Sequence, residues 1–142
     1  MDPRPPPLLH KLLAAMNGHD LDALTACFEP DYVNETPVHP AQSFTGRAQV
    51  RSNWSRILGS VPDLKAVLVR WAVGPEGAQW AEWDWRGTRV DGLPMHLRGI
   101  TVLGPSDRGP DTAAWARFYM EPVEETGDGV DATVRSRVGI PR

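Results

Sequence analysis

The chain has 142 residues, 41% hydrophobic and 23% charged, with a formal net charge of −3. That is one domain's length of chain, with enough apolar side chains for its own core. The balance excludes the basic footprint of a nucleic-acid binder or of a protein drawn to anionic membranes.

No run approaches the roughly 18 apolar residues of a membrane span. A single cysteine, Cys27, excludes an internal disulfide. The opening M-D-P-R-P-P-P lacks the apolar stretch of a signal peptide. A cytoplasmic location is expected.

Residues 1–7 read as a disordered proline-rich arm. A helix is expected at 8–17, with Leu9, Leu12, Leu13 and Met16 as one apolar stripe. Gly18 should close it with a left-handed cap. Asp20 should cap a second helix at 21–28, and Pro30 should stop it. A short strand is expected at 32–35, then a proline-containing loop at 36–44. Thr45 reads as the N-cap of a third helix at 46–60. Val50, Trp54, Ile57, Leu58 and Val61 make that helix's apolar face.

A β-branched strand at 64–73 leads through a Gly-Pro turn into the centre of the chain. Three strands are expected there, at 79–90, 94–103 and 113–123. Asp91-Gly92 marks the first hairpin. A loop at 104–112 separates the last two strands. Period two sets Trp83 and Trp85 opposite Glu82, Asp84 and Arg86. It likewise sets Ala114, Ala116, Phe118 and Met120 opposite Trp115, Arg117, Tyr119 and Glu121. Residues 8–124 form the domain. Residues 125–142 form a C-terminal extension, whose valines recur every four residues and allow a short helix from about Asp131.

Helices first and strands afterwards argue an α+β fold. A curved antiparallel sheet would wrap the three helices as a cone. A pocket would remain where the helices stop covering the sheet.

Several segments carry a family resemblance. They are L-L-A-A-M-N-G-H-D-L-D-A-L at 12–24, F-x-P-D-Y-V at 28–33 and F-T-G-R-A-Q-V-R-S-N-W at 44–54. Further segments are V-P-D-L at 61–64, E-W-D-W-R-G-T at 82–88, R-G-I-T-V-L at 98–103 and A-R-F-Y-M-E-P-V at 116–123. With the element order, they resemble the SnoaL-like branch of the NTF2-like superfamily. That superfamily includes ketosteroid isomerase, limonene-epoxide hydrolase and polyketide cyclases. The resemblance implies the cone fold, a small-molecule cavity and an isomerase, cyclase or hydrolase type of chemistry.

It also implies site positions. The isomerase carboxylate base sits on the first short strand, where V-N-E at 33–35 makes Glu35 its counterpart. The isomerase oxyanion donors match Leu12 and Gly99. The cyclase and epoxide-hydrolase aspartate matches Phe118. An oxyanion hole needs fixed donors, and neither Leu12 nor Gly99 carries one.

Glu35 is therefore the expected acid/base, facing an apolar pocket. His39, in the loop over the cavity mouth, is a second proton-transfer candidate. Leu12, Trp54, Trp83, Trp85, Gly99, Phe118 and Met120 are expected to wall the cavity around an apolar molecule. Cys27 reads as a core residue. No spacing suggests a metal site, and no dinucleotide or phosphate-loop fingerprint suggests a cofactor. Trp80, Trp115 and Tyr119 fall on the outer sheet face, where a homodimer is expected. Two readings stand: an enzyme with Glu35 as acid/base, or a non-catalytic module that binds a ligand or serves as a dimeric scaffold.

Overall fold

The computed structural model describes residues 4–139. The expected disordered arm falls partly on residues 1–3, outside the described residues. Pro7 already belongs to the first helix, α1 (Pro7–Asn17). Its ring lacks an N–H that the first turn would leave unpaired anyway.

The buried face of α1 is Leu8, Leu9, Leu12, Ala15 and Met16. Leu13, expected in that stripe, is only partly buried at its edge. The close of α1 also differs from expectation. Gly18 has a right-handed φ of −79°, and His19 takes the positive φ of 52°. The His19 ring is tied to the Leu64 carbonyl at 2.9 Å.

Asp20 caps α2 (Leu21–Thr25) as expected, its side chain accepting from the Ala23 amide. That helix is shorter than the stripe suggested. Phe28 leaves it and opens strand β1 (Phe28–Glu35), where it pairs with Ala113. Pro30 lies inside β1, not beyond a helix. The pairing with the neighbouring strand is irregular between Phe28 and Val33, so the missing proline N–H breaks no regular ladder.

A single 3-10 turn at Pro40–Gln42 and a two-residue strand β2 (Phe44–Thr45) occupy the expected loop. Helix α3 (Arg47–Ser60) starts from Gly46, which has φ 101° and gives no side-chain cap. Thr45 is not its cap, because Thr45 is held in β2 against Val33.

The remaining strands are β3 (Lys65–Val73), β4 (Gln79–Thr88), β5 (Pro94–Ser106) and β6 (Gly109–Pro122). The last two run further toward each other than expected, so most of the loop at 104–112 is strand. Helix α4 (Val130–Val138) ends the described chain and buries none of its residues.

The architecture is α+β, an open, curved, six-stranded sheet with helices. Strand order is β2-β1-β6-β5-β4-β3. Every neighbouring pair is antiparallel except β1 and β6, which run parallel. α1 packs on β6 and β3, and α3 packs on β1. Between helices and sheet lie Trp83, Tyr32, Leu8, Leu9, Met16, Leu24 and Leu103, all fully buried.

Candidate functional site

Strand β1 is half-buried, so its residues divide by period two. Phe28, Tyr32 and Asn34 are buried, while Asp31, Val33 and Glu35 are exposed. Beside the buried face, between β1, α3 and the 36–44 segment, lies a cavity of about 500 Å³. Phe28, Tyr32, Val50, Trp54, Ile57, Trp85 and Phe118 give it apolar walls. Asn34, Thr36, Gln42, Ser43, Gln49 and Asn53 supply its polar atoms.

Those polar groups are partly wired to one another. The Tyr32 hydroxyl donates to Asn34 Oδ1 at 2.7 Å. Asn34 Nδ2 donates on to Thr36 Oγ1 at 3.4 Å. On α3, Gln49 Nε2 donates to Asn53 Oδ1 at 2.8 Å, an i,i+4 pair. Burial pushes the Tyr32 phenol well above its ordinary range, so it stays a neutral donor. No lining residue is an acid, a histidine or a base.

Three of the expected wall residues take that place: Trp54, Trp85 and Phe118. Trp54 and Trp85 meet edge to face with ring centroids 5.4 Å apart. The others serve the fold. Leu12 is core on α1. Trp83 is fully buried, and its indole donates to Thr101 at 2.8 Å. Met120 is partly buried against the core and is not among the lining residues.

Gly99 is glycine for its backbone. Its φ is 154°, and a Cβ there would stand 2.0 Å from the Tyr119 carbonyl oxygen. Only glycine fits that approach of β5 to β6.

The two expected proton carriers lie elsewhere. Glu35 faces the outer side of the sheet, where Arg117 Nη2 donates to its Oε2 at 3.0 Å. The strand position that faces the cavity is Asn34, an amide. His39 is exposed and pairs with Glu121 Oε1 at 2.7 Å. Its loop does border the cavity, through Ala41, Gln42 and Ser43. Tyr32, Asn34, Gln49 and Asn53 were not among the expected site residues. Alternation along β1 from Phe28 marks the first two. The helical period from Val50 and Trp54 places Gln49 and Asn53 beside the apolar face.

Comparison with protein families matches the SnoaL-like domain over residues 9–140. The chain belongs to the SnoaL-like domain family. Comparison with curated proteins gives no match.

Similar solved structures share the fold at low identity. One is a hypothetical protein with a ketosteroid isomerase-like fold from Catenulispora acidiphila, in complex with trimethylamine. It is 16% identical, with a TM-score of 0.67, over 82% of this chain and 87% of that one. A second, from Shewanella denitrificans, is described as a SnoaL-like polyketide cyclase. It is 13% identical, with a TM-score of 0.64, over 80% of this chain and 88% of that one. A third, from Mycobacterium tuberculosis, is in complex with estradiol-17beta-hemisuccinate. It is 13% identical, with a TM-score of 0.67, over 80% of this chain and 93% of that one.

The outer sheet face of this SnoaL-like domain carries a cluster of ion pairs. Asp84 is nearly buried there and gathers Arg86 at 3.0 Å, His96 at 3.0 Å and Arg98 at 3.4 Å. The Arg86 hydrogen bond, with help from His96, holds the Asp84 carboxyl below the usual carboxylate range. A carboxyl depressed on folding adds stability above its unfolded value, and that stability is lost as pH falls through the folded value. Asp84→Asn should therefore unfold at lower urea than wild type at neutral pH. The gap should narrow as pH falls below the ordinary aspartate value of about 3.9 and close once the folded carboxyl is itself protonated. A gap that persists unchanged in acid would remove the charge from the explanation.

Cys27 is buried, and burial pushes its thiol up to about 11, so it is inert at neutral pH. Among the described residues, no group of three His, Cys, Asp or Glu side chains gathers as a metal site. No helix among them is long and apolar enough to cross a membrane.

Proposed function

We propose that this chain binds a small apolar metabolite in the cone cavity, without acting on it by acid–base chemistry. The observation that carries the reading is the lining itself. It is aromatic and aliphatic with amide and hydroxyl groups set into it, and none of those groups titrates near neutral pH. A general base must lie within hydrogen-bond reach of the proton it takes. Glu35, the expected base, is engaged by Arg117 on the opposite face of the strand. The ligands named for the similar structures from Catenulispora acidiphila and Mycobacterium tuberculosis add support for a small-molecule site.

A cavity plug tests it. Asn53 is half-buried on α3 and lines the cavity, so Asn53→Trp should fill the space from a helix surface that tolerates the change. A panel of neutral polycyclic ketones and phenols should contain compounds that raise the melting temperature of wild type. At about 100 times the dissociation constant the gain is about 2.7 kcal/mol. Asn53→Trp should lose that gain while keeping its own fold. Stabilisation that survives the plug would place binding outside the cavity.

We further propose that the outer sheet face meets a second copy of the chain. Trp80, Trp115 and Tyr119 are 47%, 39% and 36% exposed. They border one groove together with Val102 and the Glu35–Arg117 pair. Grouped aromatic exposure of this kind favours an interface. Sedimentation at micromolar concentration should give a dimer, and Trp115→Glu should give a monomer. A wild-type monomer at high micromolar concentration would end the proposal.

A further inference from the structure

Five residues of α3 line the cavity: Gln49, Val50, Asn53, Trp54 and Ile57. At about 100° per residue they follow one another around the helix in the order Gln49, Asn53, Ile57, Val50, Trp54. Asn53 therefore stands inside the lining arc, with Gln49 at its outer edge. Burial agrees with this order. Gln49 is exposed, Asn53 half-buried, and Val50 and Trp54 buried.

The Asn53 amide is half used. Its Oδ1 accepts from Gln49 Nε2 at 2.8 Å. Its Nδ2 has no hydrogen-bond partner among the described residues. It is not sealed either. The side-chain atoms sealed without a partner among those residues are Gln79 Oε1 and Trp85 Nε1. With Oδ1 turned to Gln49, the amide is left to present Nδ2, a group that only donates.

We infer that Asn53 is a specificity-determining residue, whose Nδ2 donates to an acceptor oxygen on a neutral ligand in the cavity. This rests on the cavity-binding reading proposed above and names the chemistry that the cavity selects.

Neutrality follows from the lining. The cavity presents no arginine, lysine, histidine or acid, so a charged ligand would be desolvated without a counter-charge. The acceptor follows from the accounting of donors. Across the cavity, the Tyr32 hydroxyl is spent on Asn34 Oδ1, and Asn34 Nδ2 donates to Thr36. On the α3 wall, Nδ2 of Asn53 is still open. In the empty cavity water can serve it. A ligand that fills the cavity takes that water away. A ligand oxygen facing α3 replaces the lost hydrogen bond. A hydrocarbon of the same shape leaves Nδ2 desolvated and unpaired, and sites that hydrogen-bond their ligand reject analogues that lack the partner. The selected class is a neutral, mostly apolar molecule with a carbonyl oxygen on the edge that meets α3.

The test uses two rigid probes of one outline, fluorenone, which has the oxygen, and fluorene, which has a methylene in its place. Each is titrated into wild type and into Asn53→Leu, which keeps the side chain's size and removes the donor, and is followed by NMR. The Asn53 side-chain amide resonances are assigned in wild type by their absence from Asn53→Leu. Fluorenone is expected to bind wild type about tenfold more tightly than fluorene and to move the Asn53 Nδ2 proton resonances. In Asn53→Leu the two probes should bind equally.

A tenfold preference that survives Asn53→Leu overturns the inference. So does a wild-type fluorenone titration in which backbone resonances around the cavity move and the Asn53 amide does not, and that readout needs no folded variant beyond wild type. Two outcomes separate this inference from the reading beneath it. Equal binding of both probes to wild type, abolished by Asn53→Trp, keeps the cavity and overturns the role of the Asn53 donor. Failure of both probes to move any cavity resonance overturns the cavity reading and this inference with it.

Discussion

Replacing Trp83 by alanine is expected to cost about 3–5 kcal/mol of stability, the largest loss of any single truncation on the sheet. The side chain is fully buried and stands beside Trp85 in the core between sheet and helices. Its removal leaves a void that rigid strands on either side cannot close. It also strands the Thr101 hydroxyl, whose residue is 2% exposed.

Trp83→Phe separates the two terms. It keeps most of the ring and loses only the hydrogen bond to Thr101, at about 1–3 kcal/mol. Small domains have about 5–15 kcal/mol in hand, so the alanine variant should sit near the edge of folding. Urea unfolding reads this directly as a lower midpoint at unchanged slope. A loss below about 1.5 kcal/mol would mean that Trp83 borders open space, as a ligand wall would. Its position would then have to be redrawn.

Trp83 also shows what the bare sequence could and could not convey. Alternation along β4 correctly put Trp83 and Trp85 on one face, away from Glu82 and Arg86. It could not say which of the two meets the cavity, because that depends on where α3 ends its cover of the sheet. The faces of β6 from Trp115 onward were legible for the same reason, but ahead of it Ala113 is buried in place of the expected Ala114, next to a register shift against β5. Ala116, Phe118 and Met120 form an apolar file, and Trp115, Arg117 and Tyr119 a mixed one. A slip of one residue would have turned the whole file outward.

Strand β1 was different. Only a few residues were legible as strand, because Pro30 hid its first half and Phe28 read as the end of a helical stripe. Val33 and Glu35 share a face, and a valine there argues for burial, yet Val33 is 40% exposed. With so short a pattern, the family's base position was matched one residue off the inward face. The pairing of β1 with β6 decides it, setting Glu35 opposite Arg117 and Asn34 opposite Ala116. No local pattern reports a parallel pairing across more than 80 residues. The caps expected at Gly18 and Thr45 were displaced by tertiary contacts as well. The His19 ring is held by the Leu64 carbonyl, and Thr45 is paired with Val33 in β2.

That one-residue difference underlies the second large expectation, the absence of isomerase and epoxide-hydrolase activity. Moving a double bond in a 3-oxo-Δ5 steroid requires a base to take a proton and donors to hold the enolate as it forms. A positioned base contributes roughly 100- to 10,000-fold. Here the inward residue is Asn34, and Glu35 is held by Arg117 on the other face. The donor positions implied by family resemblance are Leu12, a core leucine, and Gly99, whose Cβ the Tyr119 carbonyl excludes. Each missing oxyanion donor costs about 2.7–4 kcal/mol of barrier, so both cost about 5–8 kcal/mol, or four to six decades. The cavity's own donors do not repair this. Tyr32 is committed to Asn34, and the Trp85 N–H is fully buried, out of reach of an oxyanion in the cavity. The Asn53 amide could steady an oxyanion but cannot create one. Epoxide opening meets the same obstacle, since Phe118 stands where the resemblance asks for an aspartate. Turnover of a 3-oxo-Δ5 steroid, followed by the ultraviolet absorbance of the conjugated product, should match the buffer rate. So should hydrolysis of limonene epoxide, followed by chromatography. Turnover well above buffer, lost in Glu35→Gln and retained in Asn34→Ala, would return Glu35 to the cavity and reverse the assignment of faces on β1.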